Sequence, residues 1–280
     1  MKRTVAIVFG AAVALLLVMI ALGLLDAHVL AHSRFGHADG SVDSVLAHHR
    51  DHVLNAITLG ATDAASTLPI IAVALVATVT ARLVFRRWRE PLFVVTAVVG
   101  EVTIFVITTL VVHRPRPNVV RLDHAPPTSS FPSGHTAASV ALYGSIAALV
   151  GWYGVRYGAR VVWRRIAVTV AILFPLVVAA SRLYRGMHYP TDVLAGALLG
   201  FSWLRASMYA VLRGPEGSAR NAQLPEARTT VIPEARTTEL QGARTTGLQG
   251  ARTAQPAGST LVGRPSPVGD RNGIVAASSE

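Results

Sequence analysis

The chain of 280 residues is 51% hydrophobic, with a mean hydropathy of +0.46, and several apolar runs reach about 20 residues, enough to cross a bilayer, so an ordinary soluble domain is excluded. Because Cys is absent, disulfides and thiolate metal sites are excluded as well. The net charge of +11 comes from arginines beside apolar runs and in the tail, a placement that indicates membrane orientation and argues against nucleic-acid binding.

Six apolar runs predict an all-α, six-span transmembrane bundle. The first follows Lys2 and Arg3, and we interpret it as a retained helix, because the apolar part of a cleaved signal peptide is normally shorter. The predicted spans are 5–25, 67–85, 91–112, 134–151, 163–181 and 190–210. After the first span, apolar residues at helical spacing over 41–57 predict a helix lying on the membrane surface.

Glu101 lies near the middle of the predicted third span. A carboxylate at that depth is costly unless it finds a partner or takes up a proton. We therefore predict that it is a hydrogen-bonded structural group inside the bundle, lying too deep to touch a ligand at the helix ends.

Clusters of arginine predict the orientation of the bundle. The short connections after the second and fourth spans are rich in Arg, and such connections normally lie in the cytoplasm. Their arginines are Arg82, Arg86, Arg87, Arg89, Arg156, Arg160, Arg164 and Arg165. Both termini are then cytoplasmic, the 26–66 loop is extracytoplasmic, and the chain is expected to be a multi-pass protein of the plasma membrane.

The apolar runs stop at about residue 212, and a repetitive tail follows. Residues 224–255 contain four related units of eight residues, LPEARTTV, IPEARTTE, LQGARTTG and LQGARTAQ. Units with Pro or Gly and no aromatic residue bury too little surface to fold alone. The sequence therefore predicts a membrane domain over 1–212 and a disordered cytoplasmic tail over 213–280.

A polar stretch at 181–192, between the last two spans, has the composition of a phosphate-handling site. Pro190 suits the first turn of a helix, so Asp192 falls in the opening turn of the last span. His188 lies four residues earlier, where the carboxylate can hold one imidazole nitrogen and leave the other free as a nucleophile or base. Arg182 supplies a guanidinium that matches phosphate oxygens in shape and charge. Taken alone, the stretch also fits a loop of ordinary interfacial polar residues.

Two further loops are predicted to meet that stretch. Residues 131–136, Phe-Pro-Ser-Gly-His-Thr, directly precede the fourth span. Ser133, Gly134 and His135 would then lie at a helix N-terminus, where free backbone N–H groups and the helix dipole favour an anion. The stretch His-Arg-Pro-Arg-Pro at 113–117 ends the third span. Arg, Ser, Gly and His at three helix ends predict one shared oxyanion site.

The order of these motifs resembles the type 2 phosphatidic acid phosphatase (PAP2) superfamily, which also includes the vanadium haloperoxidases, and in particular its membrane lipid phosphatase branch. The matching elements, all within 90–205, are Arg116-Pro117, then Pro-Ser-Gly-His at 132–135, then Ser-Arg, five residues, His, three residues, Asp at 181–192. The likeness implies that the site requires neither a metal nor another cofactor, since arginines supply charge and positioning for phosphoryl transfer.

One position departs from the family pattern. The first motif of the family begins with Lys seven residues before its Arg, and this chain has Thr109 there. Lys2 is the single lysine, so no other lysine can take over that charge. The site must then either work with less charge or borrow an arginine, for which Arg114 is the nearest candidate; the remaining possibility is that the Thr109 hydroxyl binds phosphate itself.

The resemblance also implies roles for the residues. His188 would attack phosphorus and form a phosphohistidine, with Asp192 orienting its imidazole. His135 would protonate the leaving oxygen and later activate water. The implied phosphate-binding residues are Arg116, Ser133, Gly134 and Arg182.

The expected activity is hydrolysis of a lipid phosphate monoester or diphosphate, of the phosphatidate or polyprenyl diphosphate class, at the extracytoplasmic face. Its partners are then the lipid substrate and the membrane, and no nucleic acid. The alternatives are a phosphotransferase with a lipid or alcohol acceptor, a haloperoxidase-like vanadate enzyme, against which six spans argue, and a non-enzymatic lipid-phosphate-binding protein. A binding protein would not need His188, His135 and Asp192 together.

Overall fold

The computed structural model describes residues 2–124, 127–154 and 160–213, and the predicted disordered tail with its repeats lies outside these described residues. Their helices are α1 Lys2–His28, α2 Arg34–His48, α3 His52–Ala64, α4 Thr67–Phe85, α5 Arg89–Val111, α6 Gly134–Gly154, α7 Val161–Tyr184 and α8 Pro190–Ser207. A 3-10 turn, Leu30–His32, follows α1, and a π-helical segment, Met208–Arg213, extends α8. In the described ranges the chain forms no β-strand.

Six of these helices are long and apolar enough to cross a membrane. They are α1 with its 3-10 turn, α4, α5, α6, α7, and α8 with its π-helical extension. This confirms the all-α class and the six predicted spans. The chain is therefore a multi-pass membrane protein in which four long helices, α5 to α8, carry the predicted motifs at their ends.

The loop between the first two spans folds into two helices, not the single surface helix predicted over 41–57. Asp51 interrupts it, because its carboxylate accepts hydrogen bonds from the backbone N–H groups of Val53 and Leu54, both at 2.8 Å, and so begins α3. The preceding Arg50 is held by the carbonyl oxygen of Tyr184 at 3.0 Å. Apolar spacing alone missed this cap, so the predicted continuity was wrong.

Close contact between α6 and α8 brings two motif loops together. A Cβ on Gly196 would lie 2.4 Å from the carbonyl oxygen of Ser133, and one on Gly200 would lie 2.5 Å from that of Ala137. Only glycine permits this approach of the two backbones. As a result, the backbone N–H of Ser133 donates to the carbonyl oxygen of Asp192 at 2.9 Å.

The far end of the bundle, where α5 begins, has an ion pair between a buried carboxylate and a half-exposed arginine. Glu90 is 0% exposed and accepts from Nε of Arg87 at 2.9 Å and from the hydroxyl of Tyr153 at 2.7 Å. These bonds tie the start of α5 to the end of α6. Arg89, next in the chain, donates to the carbonyl oxygen of Val211 at 2.7 Å and so holds the end of the chain that the structure describes.

Glu101 lies buried within α5, 1% exposed. Neither of its carboxylate oxygens has a hydrogen-bond partner among the residues that the structure describes. The prediction that Glu101 is a hydrogen-bonded group was therefore wrong; a buried carboxylate without a partner is costly when charged.

Candidate active site

The three motif-bearing loops meet at one end of the bundle, as predicted. His188 Nδ1 lies 2.7 Å from the carbonyl oxygen of Ser130, and a guanidinium nitrogen of Arg116 donates to the carbonyl oxygen of Met187 at 2.8 Å. His135 lies within electrostatic range of His188, Arg116 and Arg182. The loop after α5, the start of α6 and the α7–α8 connection thus form a single site.

His188 is buried and held by a backbone carbonyl, not by the predicted carboxylate. Its Nδ1 lies 2.7 Å from the Ser130 carbonyl oxygen, whereas Oδ2 of Asp192 is 3.7 Å away, beyond hydrogen-bonding distance. Since a carbonyl oxygen only accepts, Nδ1 carries the proton and Nε2 keeps its lone pair. Burial lowers the pKa of His188 below its ordinary value, although Asp192 acts in the opposite direction, so the ring is neutral near pH 7.

Asp192 is 0% exposed and has both oxygens engaged. Oδ2 accepts from the backbone N–H of Tyr189 at 2.9 Å, which closes the first turn of α8. Oδ1 forms an ion pair with Arg114. Asp192 therefore acts on His188 as a fixed nearby charge, and the helix turn and Arg114 set its position.

Arg114 is buried, 4% exposed, and its guanidinium faces carboxylates. Its acidic partners are Oδ2 of Asp26 at 2.7 Å, Oδ2 of Asp39 at 2.8 Å, and Oδ1 of Asp192. It also donates to the hydroxyl of Thr191 at 2.7 Å, and its guanidinium carbon lies 4.2 Å from the centre of the Tyr189 ring. Burial disfavours the charge, but the acidic partners outweigh it and raise the pKa of Arg114.

Both predicted replacements for the family lysine are engaged with other groups of the protein in this arrangement. Among the described residues, the partners of the Arg114 guanidinium are the three carboxylates and Thr191. Thr109 is 6% exposed, and its hydroxyl donates to the carbonyl oxygen of Val106 in its own helix at 2.9 Å. Both residues thus donate hydrogen bonds inside the protein, Arg114 to acidic side chains and Thr191, and Thr109 to its own helix.

The other side of the site is rich in arginine. Arg182 donates to Oδ2 of Asp123 at 2.9 Å, and Arg185 donates to Oδ1 of the same carboxylate at 2.7 Å. Nε of Arg182 and Nε of Arg116 are buried and have no hydrogen-bond partner in the part of the chain that the structure describes. Buried cationic donors without a partner are rare in folded proteins, and here two of them lie beside two histidines. This side can therefore accept an anion.

Asp123 is a residue of the candidate site that the sequence did not predict. It is bound by both Arg182 and Arg185, and its side chain is 16% exposed. Its only signal in the sequence is an acidic residue in a loop of arginines, and no spacing rule links it to a motif. In this structure the Asp123 carboxylate occupies the kind of contact that a phosphate oxygen would make.

Ser133 and Gly134 form the predicted helix N-terminus. Ser133 is 0% exposed, its carbonyl oxygen accepts from the N–H of Ala137 at 3.1 Å, and its hydroxyl lies 3.0 Å from that of Thr136. Gly134 begins α6, and a Cβ there would lie 2.7 Å from the ring of Phe105. The first N–H groups of α6 lack partners within the helix and point out of its end. His135, half-buried in that first turn, lies next to them.

Comparison with known proteins identifies the same region. Residues 90–214 match the PAP2 superfamily. The chain is 33% identical to an undecaprenyl-diphosphatase of Sulfolobus acidocaldarius over 133 residues, 44% of this chain and 55% of the relative. It is 32% identical to undecaprenyl-diphosphatase BcrC of Bacillus subtilis over 126 residues, 40% of this chain and 55% of the relative.

A further relative and a solved structure complete the comparison. A lipid A 1-phosphatase of Rhizobium etli is 35% identical over 83 residues, 29% of this chain and 30% of the relative. The chain thus spans about half the length, or less, of the curated relatives it matches. The crystal structure of a PAP2-type phosphatidylglycerolphosphate phosphatase from Bacillus subtilis superposes with a TM-score of 0.59 at 20% identity, covering 77% of this chain and 98% of that chain. At that identity the likeness establishes the fold alone.

Proposed function

Because residues 90–214 match the PAP2 superfamily, we propose that this multi-pass membrane protein is a phosphatase of lipid phosphate monoesters or diphosphates. One observation carries the proposal: the buried, unpartnered Nε–H groups of Arg116 and Arg182 lie beside the buried, neutral imidazole of His188. The names of the curated relatives, which denote removal of phosphate from undecaprenyl diphosphate and lipid A, support a lipid substrate.

The reaction begins at Nε2 of His188, the nitrogen that the Ser130 contact leaves unprotonated. Its lone pair forms a bond to phosphorus while the bond from phosphorus to the leaving oxygen breaks, and His135 gives that oxygen a proton. His135 then takes a proton from water, whose oxygen attacks phosphorus as the N–P bond breaks. Inorganic phosphate leaves and His188 regains its lone pair.

The charge on the transferred phosphoryl group is met by fixed donors. Arg116 and Arg182 offer their unpartnered Nε–H groups, and the start of α6 at Gly134 offers backbone N–H groups. Such donors stabilise the transition state without reorganising, and losing one typically costs about 10²–10³ in rate. Positive charge that develops on the His188 ring is balanced by Asp192.

The site is proposed to face the extracytoplasmic side of the plasma membrane, with both termini in the cytoplasm. Support comes from the distribution of arginines: the far end of the bundle carries Arg86, Arg87 and Arg89 before α5, and Arg160, Arg164 and Arg165 around the start of α7. At the ends of helices, a phosphate headgroup can enter the site while its acyl or prenyl chains stay in the lipid.

The activity is tested with purified protein in detergent. Phosphatidate, phosphatidylglycerol phosphate and an undecaprenyl diphosphate are each supplied, and phosphate release is measured. We expect release from at least one of them, loss of turnover in His188→Ala, and a fall of several orders of magnitude in His135→Ala. Brief reaction with a substrate labelled on phosphorus should leave label on the wild-type protein and none on His188→Ala; equal labelling of both would reject the nucleophile.

Sidedness is tested in cells. The chain contains no Cys, so a single Cys introduced at Asp63 or Arg121 should react with an impermeant thiol reagent from outside. A single Cys at Arg86 should react only after the membrane is opened. The reverse pattern would turn the site to the cytoplasm.

A further inference from the structure

We propose that Asp39, on α2, is a positioning residue for catalysis: it holds Arg114 and the first turn of α8 so that Asp192 keeps its place beside His188. This inference rests on the proposed phosphatase function. Asp39 lies outside the segment that matches the PAP2 superfamily, 90–214, so it adds a part to the site that the family match does not contain.

Asp39 is buried, 6% exposed, and reaches the site from a helix of the first loop. Its Oδ1 accepts from the backbone N–H of Thr191 at 3.1 Å, and its Oδ2 accepts from the hydroxyl of Thr191 at 2.6 Å. The same Oδ2 accepts from a guanidinium nitrogen of Arg114 at 2.8 Å. One carboxylate therefore satisfies an N-terminal N–H of α8 and also fixes the arginine that pairs with Asp192.

These contacts set the surroundings of His188 through two intermediates. Arg114 divides its guanidinium between Asp39 on one side and Asp192 on the other, with Asp26 of α1 as a third partner. Without Asp39, the guanidinium is free to turn fully onto Asp192 and neutralise it. The charge nearest to Nδ1 of His188 would then weaken, and a displacement of the reacting group by about 1 Å can cost about 10²-fold in rate.

The local charge indicates a purpose beyond holding the fold together. Three carboxylates share the one guanidinium of Arg114, so this side of the site carries net negative charge next to a ring that becomes positive during attack. Asp43, 1% exposed, has no hydrogen-bond partner for either oxygen among the described residues. Burial, first, and then Asp39 and Asp192 raise the pKa of Asp43 to about 7.

The carboxylates are not arranged as a cation site. The Arg114 guanidinium lies among Asp26, Asp39 and Asp192. In the described ranges, no group of three or more His, Asp or Glu side chains could hold a metal ion. Positioning through the arginine is therefore the role that the contacts support.

The test compares Asp39→Asn with Glu90→Gln. Glu90 is the matched control, since it is also a buried carboxylate paired with arginine but lies at the far end of the bundle. Both variants are normalised for folded protein. We expect kcat of Asp39→Asn to fall about 10- to 100-fold with KM within about 3-fold, while kcat of Glu90→Gln stays within about 2-fold of wild type. Asp39→Glu should recover part of the loss.

A second measurement does not depend on turnover. Nitrogen-15 NMR of histidine, with the His188 signal assigned by its absence in His188→Ala, reports the tautomer and titration of that ring. The charges that act on it are Asp192, Arg116, Arg182 and the neighbouring His135. Asp39→Asn should move the titration of His188 to lower pH, because Asp192 becomes neutralised by Arg114, and Glu90→Gln should leave it in place.

The outcomes separate the two proposals. A wild-type protein that turns over no lipid phosphate would reject the phosphatase function, and the NMR comparison would still decide the role of Asp39. An active wild type with equal kcat in Asp39→Asn and Glu90→Gln would overturn the positioning role. So would an unchanged His188 titration in Asp39→Asn.

Discussion

The two sides of the site use the same residue type in opposite ways. On the carboxylate side, the single guanidinium of Arg114 is shared among three acidic side chains. On the arginine side, Arg182 and Arg185 share the one carboxylate of Asp123, and Arg116 next to them donates to a backbone carbonyl.

We therefore propose that the balance of partners, not the identity of the residue, separates an arginine that positions other groups from one that binds phosphate. Arg114 lies among three carboxylates and has a raised pKa, so we assign it a positioning role in the proposal. Arg116 and Arg182 each keep a buried Nε–H without a partner in the described residues, so they can gain a hydrogen bond when an anion arrives.

The largest expected effect comes from removing Arg114, which lies among three carboxylates. Arg114→Ala leaves Asp26, Asp39 and Asp192 buried without their cation, so we expect a loss of about 3–5 kcal/mol of folding stability. Thermal unfolding in detergent measures this loss. A variant that unfolds like wild type but shows a selective rise in KM would mean that Arg114 binds phosphate after all.

Removing Arg182, which keeps an unpartnered donor among the described residues, should instead lower the catalytic rate. Arg182→Ala loses the buried, unpartnered donor that we propose for the phosphoryl group, so kcat/KM should fall about 10²- to 10³-fold, or about 2.7–4 kcal/mol. The melting temperature should change far less than in Arg114→Ala. If the order of the two variants is reversed, with Arg182→Ala unstable but fully active per folded molecule, the proposed division between the two sides fails.

The carboxylate on the arginine side should act as a competitor of the substrate. Asp123→Asn removes a charge that holds Arg182 and Arg185, so inhibition by vanadate, a phosphate mimic, should become about 5-fold tighter, equivalent to about 1 kcal/mol. Asp63→Asn, on an exposed carboxylate of α3, is the control. Weaker inhibition in Asp123→Asn would show that Asp123 is needed to hold the arginines in place.

The smallest effect is expected at Thr109, where the family has Lys. Its hydroxyl donates a hydrogen bond to the Val106 carbonyl oxygen, so Thr109→Val should lower kcat/KM by less than about 2-fold. A loss of 10-fold or more in the same assay, on the same lipid phosphate, would show that the hydroxyl turns toward the substrate.

The sequence predicted the spans and the motif loops because the length of an apolar run and the order of a short motif depend only on residues that are neighbours in the chain. It did not predict that Arg114, and not Arg116, would pair with acidic side chains. Two of those side chains, Asp26 and Asp39, come from α1 and α2, far away in the sequence. The partner of His188 was missed for a similar reason: the Ser130 carbonyl is 58 residues away in the chain, and a backbone acceptor leaves no trace in residue type.

The glycine contact between α6 and α8 has a consequence for how a lipid headgroup could enter the site. Gly196 and Gly200 seat α8 directly on carbonyl oxygens of α6, and the Ser133 to Asp192 hydrogen bond ties their ends. His135 and His188 thus lie beside a rigid helix contact, since separating α6 from α8 would break that bond and open a gap in the packing. For the proposed phosphatase, a headgroup would then have to enter and leave the site without separating α6 from α8.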